Sequence, residues 1–156
     1  MQSATIAEIK RTDGAFVATL ESFGRSFDQV RGRLIRRTCD AELGDARCTI
    51  DLSAAAYRAS GAVVSVEAGG RLQVTGLEGH AAGWFANGML SWTTGARAGS
   101  IERLLDDLKE GNVRLLTPWP RNGPAAQAGD TFEIVAGCDK SFTTCRAKFD
   151  NMLNFR

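Results

Sequence analysis

Four cysteines are the residues of this chain whose type and spacing could do chemistry. Eight residues separate Cys39 from Cys48, and six separate Cys138 from Cys145. None of the four lies in an apolar run, which is where a cysteine acting as a small buried hydrophobe is usually found. The chain contains no further cysteine, so we interpret the four thiols as two local pairs that act as one set.

Four thiolates can hold a tetrahedral zinc ion or a cubane iron–sulfur cluster. Zinc sites usually have two to four residues between their paired cysteines, so the longer gaps here favour a [4Fe–4S] cluster. A zinc ion with four cysteine ligands remains the alternative, and four inert thiols remain a third interpretation. Ligation would close a loop of roughly 90 residues, which costs a few kcal/mol of entropy, so we expect folding and metal binding to be coupled.

Other chemistries find less support in the sequence. A cysteine nucleophile needs a histidine base, and His80 is the only histidine in the chain. There is no glycine-rich phosphate loop, no His-Glu-x-x-His motif and no EF-hand pattern. A redox or electron-transfer role for a cluster stays an alternative, although no second cofactor motif or charged docking face accompanies the cysteines. We therefore expect a protein that is not an enzyme.

Composition narrows the class further. The net charge is +1, so no global field favours nucleic acid or an anionic membrane. No apolar run reaches the eighteen or so residues of a membrane-spanning helix, and residues 1–5 do not resemble a secretory signal. We expect folding in a reducing cytosol, where four cysteines indicate a metal more than disulfides.

The elements that would position the cysteines are mostly short strands. A tight turn at Asp13-Gly14 predicts an N-terminal hairpin. Further strands are predicted at 61–66, 71–74, 88–92, 113–116 and 131–135, and a terminal helix capped by Thr143 runs towards Asn154. The predicted fold is mainly β, a small antiparallel barrel-like or sandwich domain with a short C-terminal helix packed around the four-cysteine site. We place the hairpin segment at 1–30 and the four-cysteine β domain at 31–156.

Residues 100–108 are ambiguous. Ile101, Leu104, Leu105 and Leu108 have helical spacing, and Ser100 could cap a helix. The turn at 110–112, followed by an apolar run, favours two strands instead. Periodicity alone favours the helix, and we interpret Asp106-Asp107 as a solvated turn.

A basic segment precedes the first cysteine. Arginines at 31, 33, 36 and 37, together with Trp84, Phe85 and Trp92, could form a surface for nucleic acid. Aromatic residues at strand spacing are more often core, and basic runs are usually solvated. We therefore expect only passing contact with DNA.

The C-terminal stretch G-C-D-K-S-F-T-T-C-R-A-K-F-D-N-M-L-N-F-R closely resembles the signature of a family of phage tail hub proteins, the BR0599 (DUF2163) family. The blocks T-C-D-A-E-L-G-D-A-R-C-T-I-D and G-M-L-S-W-T-T-G-A-R-A-G resemble the same family. This family includes the hub of gene transfer agents of alphaproteobacteria. It is similar to the C-terminal domain of the tail tip protein L of lambda-like phages.

The resemblance implies a structural component of a siphophage-like tail tip, assembled in the bacterial cytoplasm. Such hubs are homotrimers that lie between the distal tail protein ring and the central fibre or host-specificity protein. The resemblance also implies a [4Fe–4S] cluster on Cys39, Cys48, Cys138 and Cys145, and strands rather than a helix at 101–105 and 113–116. Full hub proteins carry a large N-terminal part that we expect this chain to lack, which leaves open whether the chain forms trimers alone.

Overall fold

A computed structural model describes residues 4–27, 32, 36–119 and 123–156. The chain divides into two compact units, Met1–Ile35 and Arg36–Arg156. The predicted division at residue 30 stays a prediction, because residues 28–31 lie outside the described part of the chain. Most of the basic segment at 27–37 also lies outside it, including Arg31 and Arg33.

The first unit contains the predicted N-terminal hairpin. Strand β1 (Ala4–Thr12) pairs antiparallel with β2 (Ala15–Ser22), and a short 3₁₀ helix follows at Phe23–Phe27. The turn residues Asp13 and Gly14 both have positive φ, 21° and 81°, a conformation that glycine adopts without steric cost. The hairpin prediction is therefore confirmed, and the turn explains why it succeeded.

The second unit is a closed six-stranded barrel. Its strands are β3 (Arg58–Val66), β4 (Leu72–Thr75), β5 (Met89–Trp92), β6 (Ile101–Glu110), β7 (Val113–Pro118) and β8 (Thr131–Val135). They close in the order β3-β4-β7-β6-β5-β8, and every neighbouring pair is antiparallel. Closure leaves no strand edge unpaired. The predicted strands are confirmed, and of the two predicted architectures the barrel is the one observed.

Residues 101–108 lie in strand β6, so the helix that their periodicity favoured is wrong. Glu102 and Leu104 are buried at strand spacing, and a register shift between Leu104 and Asp106 then turns Asp107 inward. Leu105 and Leu108 are left largely exposed. The four apolar residues with helical spacing therefore do not share a buried face, because only Leu104 among them is buried.

The barrel interior corrects the expected basic-aromatic surface. Phe85 and Trp92 are almost completely buried. The Trp92 ring packs edge-on against Phe132 with 6.0 Å between centroids, and Trp84 is half-buried against Tyr57. Two of the three aromatics proposed for nucleic acid therefore belong to the core.

A buried ion pair joins strand β6 to strand β7. The side chain of Asp107 is 0% exposed and that of Arg114 is 6% exposed, with the Arg114 Nε 2.5 Å from an Asp107 carboxylate oxygen. The prediction of a solvated turn is therefore wrong for Asp107. The pair also holds the loop between β4 and β5 in place. The backbone N–H of Phe85 donates to Asp107, and Arg114 donates to the carbonyls of His80 and Ala81.

The chain leaves β8 and enters the terminal helix α1 (Phe142–Phe149) through Gly137 and Cys138. A Cβ at Gly137 would lie 1.8 Å from the carbonyl oxygen of Ala86, so only glycine fits this close approach. The helix is capped by Ser141, whose hydroxyl accepts from the backbone N–H of Thr144, and it ends at Asp150 with φ 48°. The predicted cap at Thr143 and the predicted extent towards Asn154 are wrong, because a separate 3₁₀ turn spans Met152–Asn154.

Candidate functional site

Cys39 and Cys48 lie on an irregular loop that is organised by one carboxylate. Asp45 accepts hydrogen bonds from the backbone N–H groups of Cys48 (2.7 Å), Arg47 (2.9 Å) and Glu42 (3.0 Å). These bonds, led by that from Cys48, lower the pKa of Asp45 to about 2. The turn that presents Cys48 is therefore held by a carboxylate that is ionised throughout the physiological range.

Cys138 and Cys145 lie on either side of the entry to α1. Lys140 has a positive φ of 64°, and its backbone N–H donates to the Cys138 sulfur at 3.4 Å. Cys145 is buried in the second turn of the helix, and its thiol donates to the carbonyl of Asn151 at 3.2 Å. Both sulfurs thus have a defined polar partner in the backbone of the same segment.

Hydrogen bonds join the loop at 39–49 to the segment at 138–156, and we call this set of bonds the clasp. Its members are Cys39 N–H to Lys140 O (2.9 Å), Asp40 N–H to Arg156 O (2.9 Å), Lys140 Nζ to Ala41 O (2.5 Å), Asn151 Nδ2 to Cys48 O, and Asn154 Nδ2 to Thr49 Oγ1 (3.0 Å). Protein groups alone therefore bring two segments together that are about a hundred residues apart in sequence.

All four cysteines line one enclosed cavity of about 20 Å³. Its wall is completed by Ala41, Leu43, Ile50, Lys140, Ser141, Phe149, Asn151 and Asn154. Cys145 is buried, the other three cysteines are half-buried, and all four are free thiols. A volume of this size admits about one water molecule. The structure thus brings the four predicted site residues to a single place.

Burial favours the neutral thiols of Cys138 and Cys145. Burial raises the pKa of Cys138, and the backbone N–H and the charge of Lys140 oppose that rise. Burial also raises the pKa of Cys145, and the other three cysteines raise it further, because their thiolates would repel a fourth negative charge. A cation among the sulfurs would oppose these shifts and favour the thiolates of Cys138 and Cys145.

The thiols share a cavity but do not form a compact ligand set. Among the described residues, no three Cys, His, Asp or Glu side chains are grouped closely enough to hold a metal ion. In a tetrahedral zinc site, sulfurs about 2.3 Å from the metal would lie about 3.8 Å apart. The geometry therefore does not support the predicted four-cysteine metal site, although the four thiols line one cavity. Ligation by Cys39, Cys48, Cys138 and Cys145 stays a prediction.

His80 does not belong to this cavity. It is half-buried, its ring centroid lies 4.9 Å from that of Phe85, and its Nδ1 is buried without a hydrogen-bond partner. Among the residues that the structure describes, neither an imidazole nor a carboxylate lines the cavity. A thiol in this cavity therefore has no histidine base beside it.

Sequence reasoning missed the residues that hold the cysteine segments in place. Asp45 follows a glycine, a context typical of a turn, and this signal could have identified it. Asn151 and Asn154 carry no comparable signal, because their roles depend on how the chain folds back after α1. Lys148 was also missed, although its ammonium donates to the carbonyls of Trp84 and Gly137 and lies 4.8 Å from the centre of the Trp84 ring.

Two family models match the chain. Residues 83–156 match the family described as phage conserved hypothetical protein BR0599, and residues 1–51 match the N-terminal attachment domain of baseplate hub proteins. These matches confirm the resemblance inferred from the sequence. The expectation that the hub's N-terminal part is lacking is wrong for residues 1–51.

The fold is similar to that of a chain in the virion of a native gene transfer agent particle. The two are 37% identical with a TM-score of 0.71, and the alignment covers 100% of this chain and 54% of that one. This chain therefore spans about half the length of that relative. No curated protein matches the sequence significantly. Within the described residues, no helix is long and apolar enough to cross a membrane.

Proposed function

Because the chain is related to the phage BR0599 family at one end and to baseplate hub proteins at the other, we propose that it is a structural part of a phage-like tail hub. The observation that carries this proposal is the presence of both family segments on one chain, together with the similarity to a chain of a gene transfer agent virion. Both families indicate a structural role and not an enzyme.

The proposed location is the tail tip of a virion assembled in a bacterial cytoplasm. In the assembled hub the chain would be present in three copies, between the distal tail protein ring and the central fibre or host-specificity protein. Contact with DNA would be limited to passage of the genome. This agrees with the burial of Phe85, Trp92 and Phe132 in the barrel.

We further propose that Cys39, Cys48, Cys138 and Cys145 hold a [4Fe–4S] cluster. Four cysteine sulfurs are the donor set that such clusters use, and the four line one cavity without a competing carboxylate or imidazole. The irons of a cubane core face separate sulfurs, so its ligands need not meet at one point, which is our reason for preferring it to zinc. A cubane core is larger than the cavity of about 20 Å³, so the two cysteine segments would have to move apart to admit it, and the bound group would then crosslink them.

Two N–H groups at the cavity would stabilise the cysteine sulfurs once a bound cluster had ionised them. The backbone N–H of Lys140 already donates to Cys138, and the Asn151 amide lies 3.7 Å from the Cys48 sulfur. Hydrogen bonds from N–H groups stabilise thiolates and tune the potential of a cluster. The clasp already positions both cysteine segments. The conformational entropy that the chain loses on ligation would therefore be smaller.

The cluster is tested by purifying the protein anaerobically and measuring iron, acid-labile sulfide, zinc and the visible absorbance. We expect a brown protein with iron and sulfide in equal amounts. Each of the four Cys→Ser variants should lose most of the iron, whereas the control Ser53→Ala, in a neighbouring turn outside the cavity, should retain it. A colourless protein with one zinc per chain would refute the cluster and support the zinc alternative. A metal-free protein would refute both the cluster and the zinc site.

The hub role is tested separately in particles. A tagged chain should be incorporated at the tail tip, where immunogold labelling in electron micrographs would find it at one end of the tail. Deleting the gene should yield particles with incomplete tails. Normal tails without the chain would refute the hub role, whatever metal the purified protein contains.

A further inference from the structure

Two residues of the clasp have a backbone conformation that their side chains disfavour. Thr49 has φ 63° and Lys140 has φ 64°, both in the left-handed region. That region is costly for most residues other than glycine, and most of all for a β-branched residue such as threonine. In the rest of the described chain, the non-glycine residues with positive φ are Asp13, Asn87 and Asp150, whose short polar side chains tolerate it. The less tolerated residue types are therefore both in the clasp.

Each of these two strained residues lies beside a cysteine and takes part in a bond between the two segments. Thr49 directly follows a cysteine, and its hydroxyl accepts from the Asn154 amide at 3.0 Å. Lys140 lies two residues after another, and its carbonyl accepts from the backbone N–H of Cys39 at 2.9 Å. Strained conformations persist only where surrounding contacts hold them, and the clasp supplies such contacts on both segments.

Lys140 also joins the two segments through its side chain. Its ammonium donates to the carbonyl of Ala41 at 2.5 Å and lies 3.3 Å from the carboxylate of Glu42. The side chain of Lys140 is 23% exposed, whereas that of Glu42 is 77% exposed. The bond to Ala41 is therefore the stronger of the two, because an exposed ion pair contributes little to stability.

The clasp closes the cavity that the four cysteines line. Lys140 and Asn154 belong both to the clasp and to the cavity wall. Cys145 is buried in that wall, with its thiol on the carbonyl of Asn151. Separating the two cysteine segments would therefore expose the thiol of Cys145.

We propose that the clasp opens locally and thereby controls access to the cysteine cavity while the barrel stays folded. Opening breaks the bonds of Lys140 and Asn154, and it releases Thr49 and Lys140 from the left-handed conformation, which offsets part of the lost bonding. No residue of the six barrel strands contributes to the clasp, so the barrel can stay closed. The same movement would admit a cubane core, an application that rests on the proposed function.

The test measures the rate at which iodoacetamide alkylates Cys145 in the full chain, reduced and freed of metal with a chelator. Lys140→Met keeps the length and the left-handed cost of the side chain and removes the ammonium. It should speed the labelling of Cys145 about tenfold, because hydrogen bonds from charged groups are among the stronger ones. Glu42→Gln and Lys109→Met, the latter on an exposed position of β6, should each change the rate less than twofold.

Two further measurements separate local opening from unfolding. The labelling rate of Cys145 should depend on urea much less than global unfolding does, because local opening exposes little surface. The backbone amides of Cys39 and Asp40, both donors of the clasp, should exchange hydrogen faster in Lys140→Met than in the wild type. The amide of Leu104, which donates within the barrel, should exchange at an unchanged rate.

Three results would overturn the proposal. The labelling rate of Cys145 could be unchanged in Lys140→Met, or it could follow the urea dependence of global unfolding. Labelling in the wild type as fast as in an unfolded peptide would show that the cavity is not closed. If circular dichroism shows that Lys140→Met is unfolded, Asn154→Ala takes its place with the same expected direction and the same refutation.

The outcome is distinguishable from a failure of the proposed cluster. Alkylation and hydrogen exchange are measured on metal-free protein, whereas the cluster is tested by iron and sulfide content. A chain that never binds iron but shows faster labelling in Lys140→Met would support local opening and refute the cluster. An iron-loaded chain whose metal-free form labels equally fast with and without the Lys140 ammonium would refute local opening and leave the cluster standing.

Discussion

Replacing Asp107 by asparagine is expected to destabilise the barrel strongly. Asp107 is inaccessible to solvent and accepts three hydrogen bonds, two from Arg114 at 2.5 and 2.7 Å and one from the Phe85 backbone at 2.8 Å. In Asp107→Asn the guanidinium charge stays buried and faces a neutral amide. Removing one partner of a buried ion pair costs about 3–5 kcal/mol, a large share of the stability of a small domain.

A double variant separates the charge from the remaining polar contacts. Replacing Asp107 by leucine and Arg114 by methionine together removes both charges, and buried pairs can often be exchanged for apolar residues at little cost. The Phe85 N–H would then lose its acceptor, which costs about 1–3 kcal/mol. We therefore expect the double variant to be more stable than Asp107→Asn and less stable than the wild type.

Urea unfolding at pH 7, followed by tryptophan fluorescence, measures these differences in the free energy of unfolding. The control is Glu133→Gln, which removes an ion pair of the same 2.5 Å length with Arg58 at a site where both side chains are nearly half exposed. Exposed pairs contribute about 0–1 kcal/mol. The reasoning about burial fails if Asp107→Asn costs no more than Glu133→Gln.

Three further predictions concern the cysteine segments and their support. Gly137→Ala should lower the free energy of unfolding by about 3 kcal/mol or more in the same assay. The control Gly79→Ala, at a position with open space around its Cα, should lower it by less than about 1 kcal/mol. Equal losses of stability in the two variants would contradict the close approach at Gly137. Asp45→Ala should speed alkylation of the thiols several-fold, and a matching effect of Asp51→Ala, in the next turn, would argue against a specific role. Burial lowers the pKa of Lys148 to about 8, so the unfolded state binds more protons than the folded state between pH 8 and 10.5. The free energy of unfolding of the wild type, relative to that of Lys148→Met, should therefore rise by about 1–3 kcal/mol across that range. A difference that does not change with pH would refute this prediction.

The strands were predictable where turns mark their ends. Asp13-Gly14 and Gly69-Gly70 both adopt positive φ, and each joins two strands as the sequence indicated. Strand β6 was not predictable from periodicity alone, because apolar residues occupy exposed positions of the strand and two of its three buried residues, Glu102 and Asp107, are charged. The burial of Asp107 depends on Arg114 reaching it from β7, which is known only once the register is known.

The grouping of the four cysteines around one cavity was predictable, and the residues that support them were not. That the four cysteines form a ligand set stays a prediction. The four cysteines were grouped from type and spacing, and they line one cavity. Asn151 is buried beside Cys48 although it follows the end of α1, and no local pattern signals that a turn beyond a helix folds back onto a loop a hundred residues earlier. Such contacts are set by tertiary packing, which patterns in a single sequence do not predict.

The clasp also determines how the barrel unit would respond to a pulling force. The backbone bond from Asp40 to Arg156 places these two residues side by side, so tension applied between them would act on that bond and its neighbours first. The six strands would lie outside the path of the force until the clasp had opened. Extension would therefore begin by peeling the terminal segment from the loop, with the barrel intact, and single-molecule stretching between these positions would record a weak early event before the main rupture.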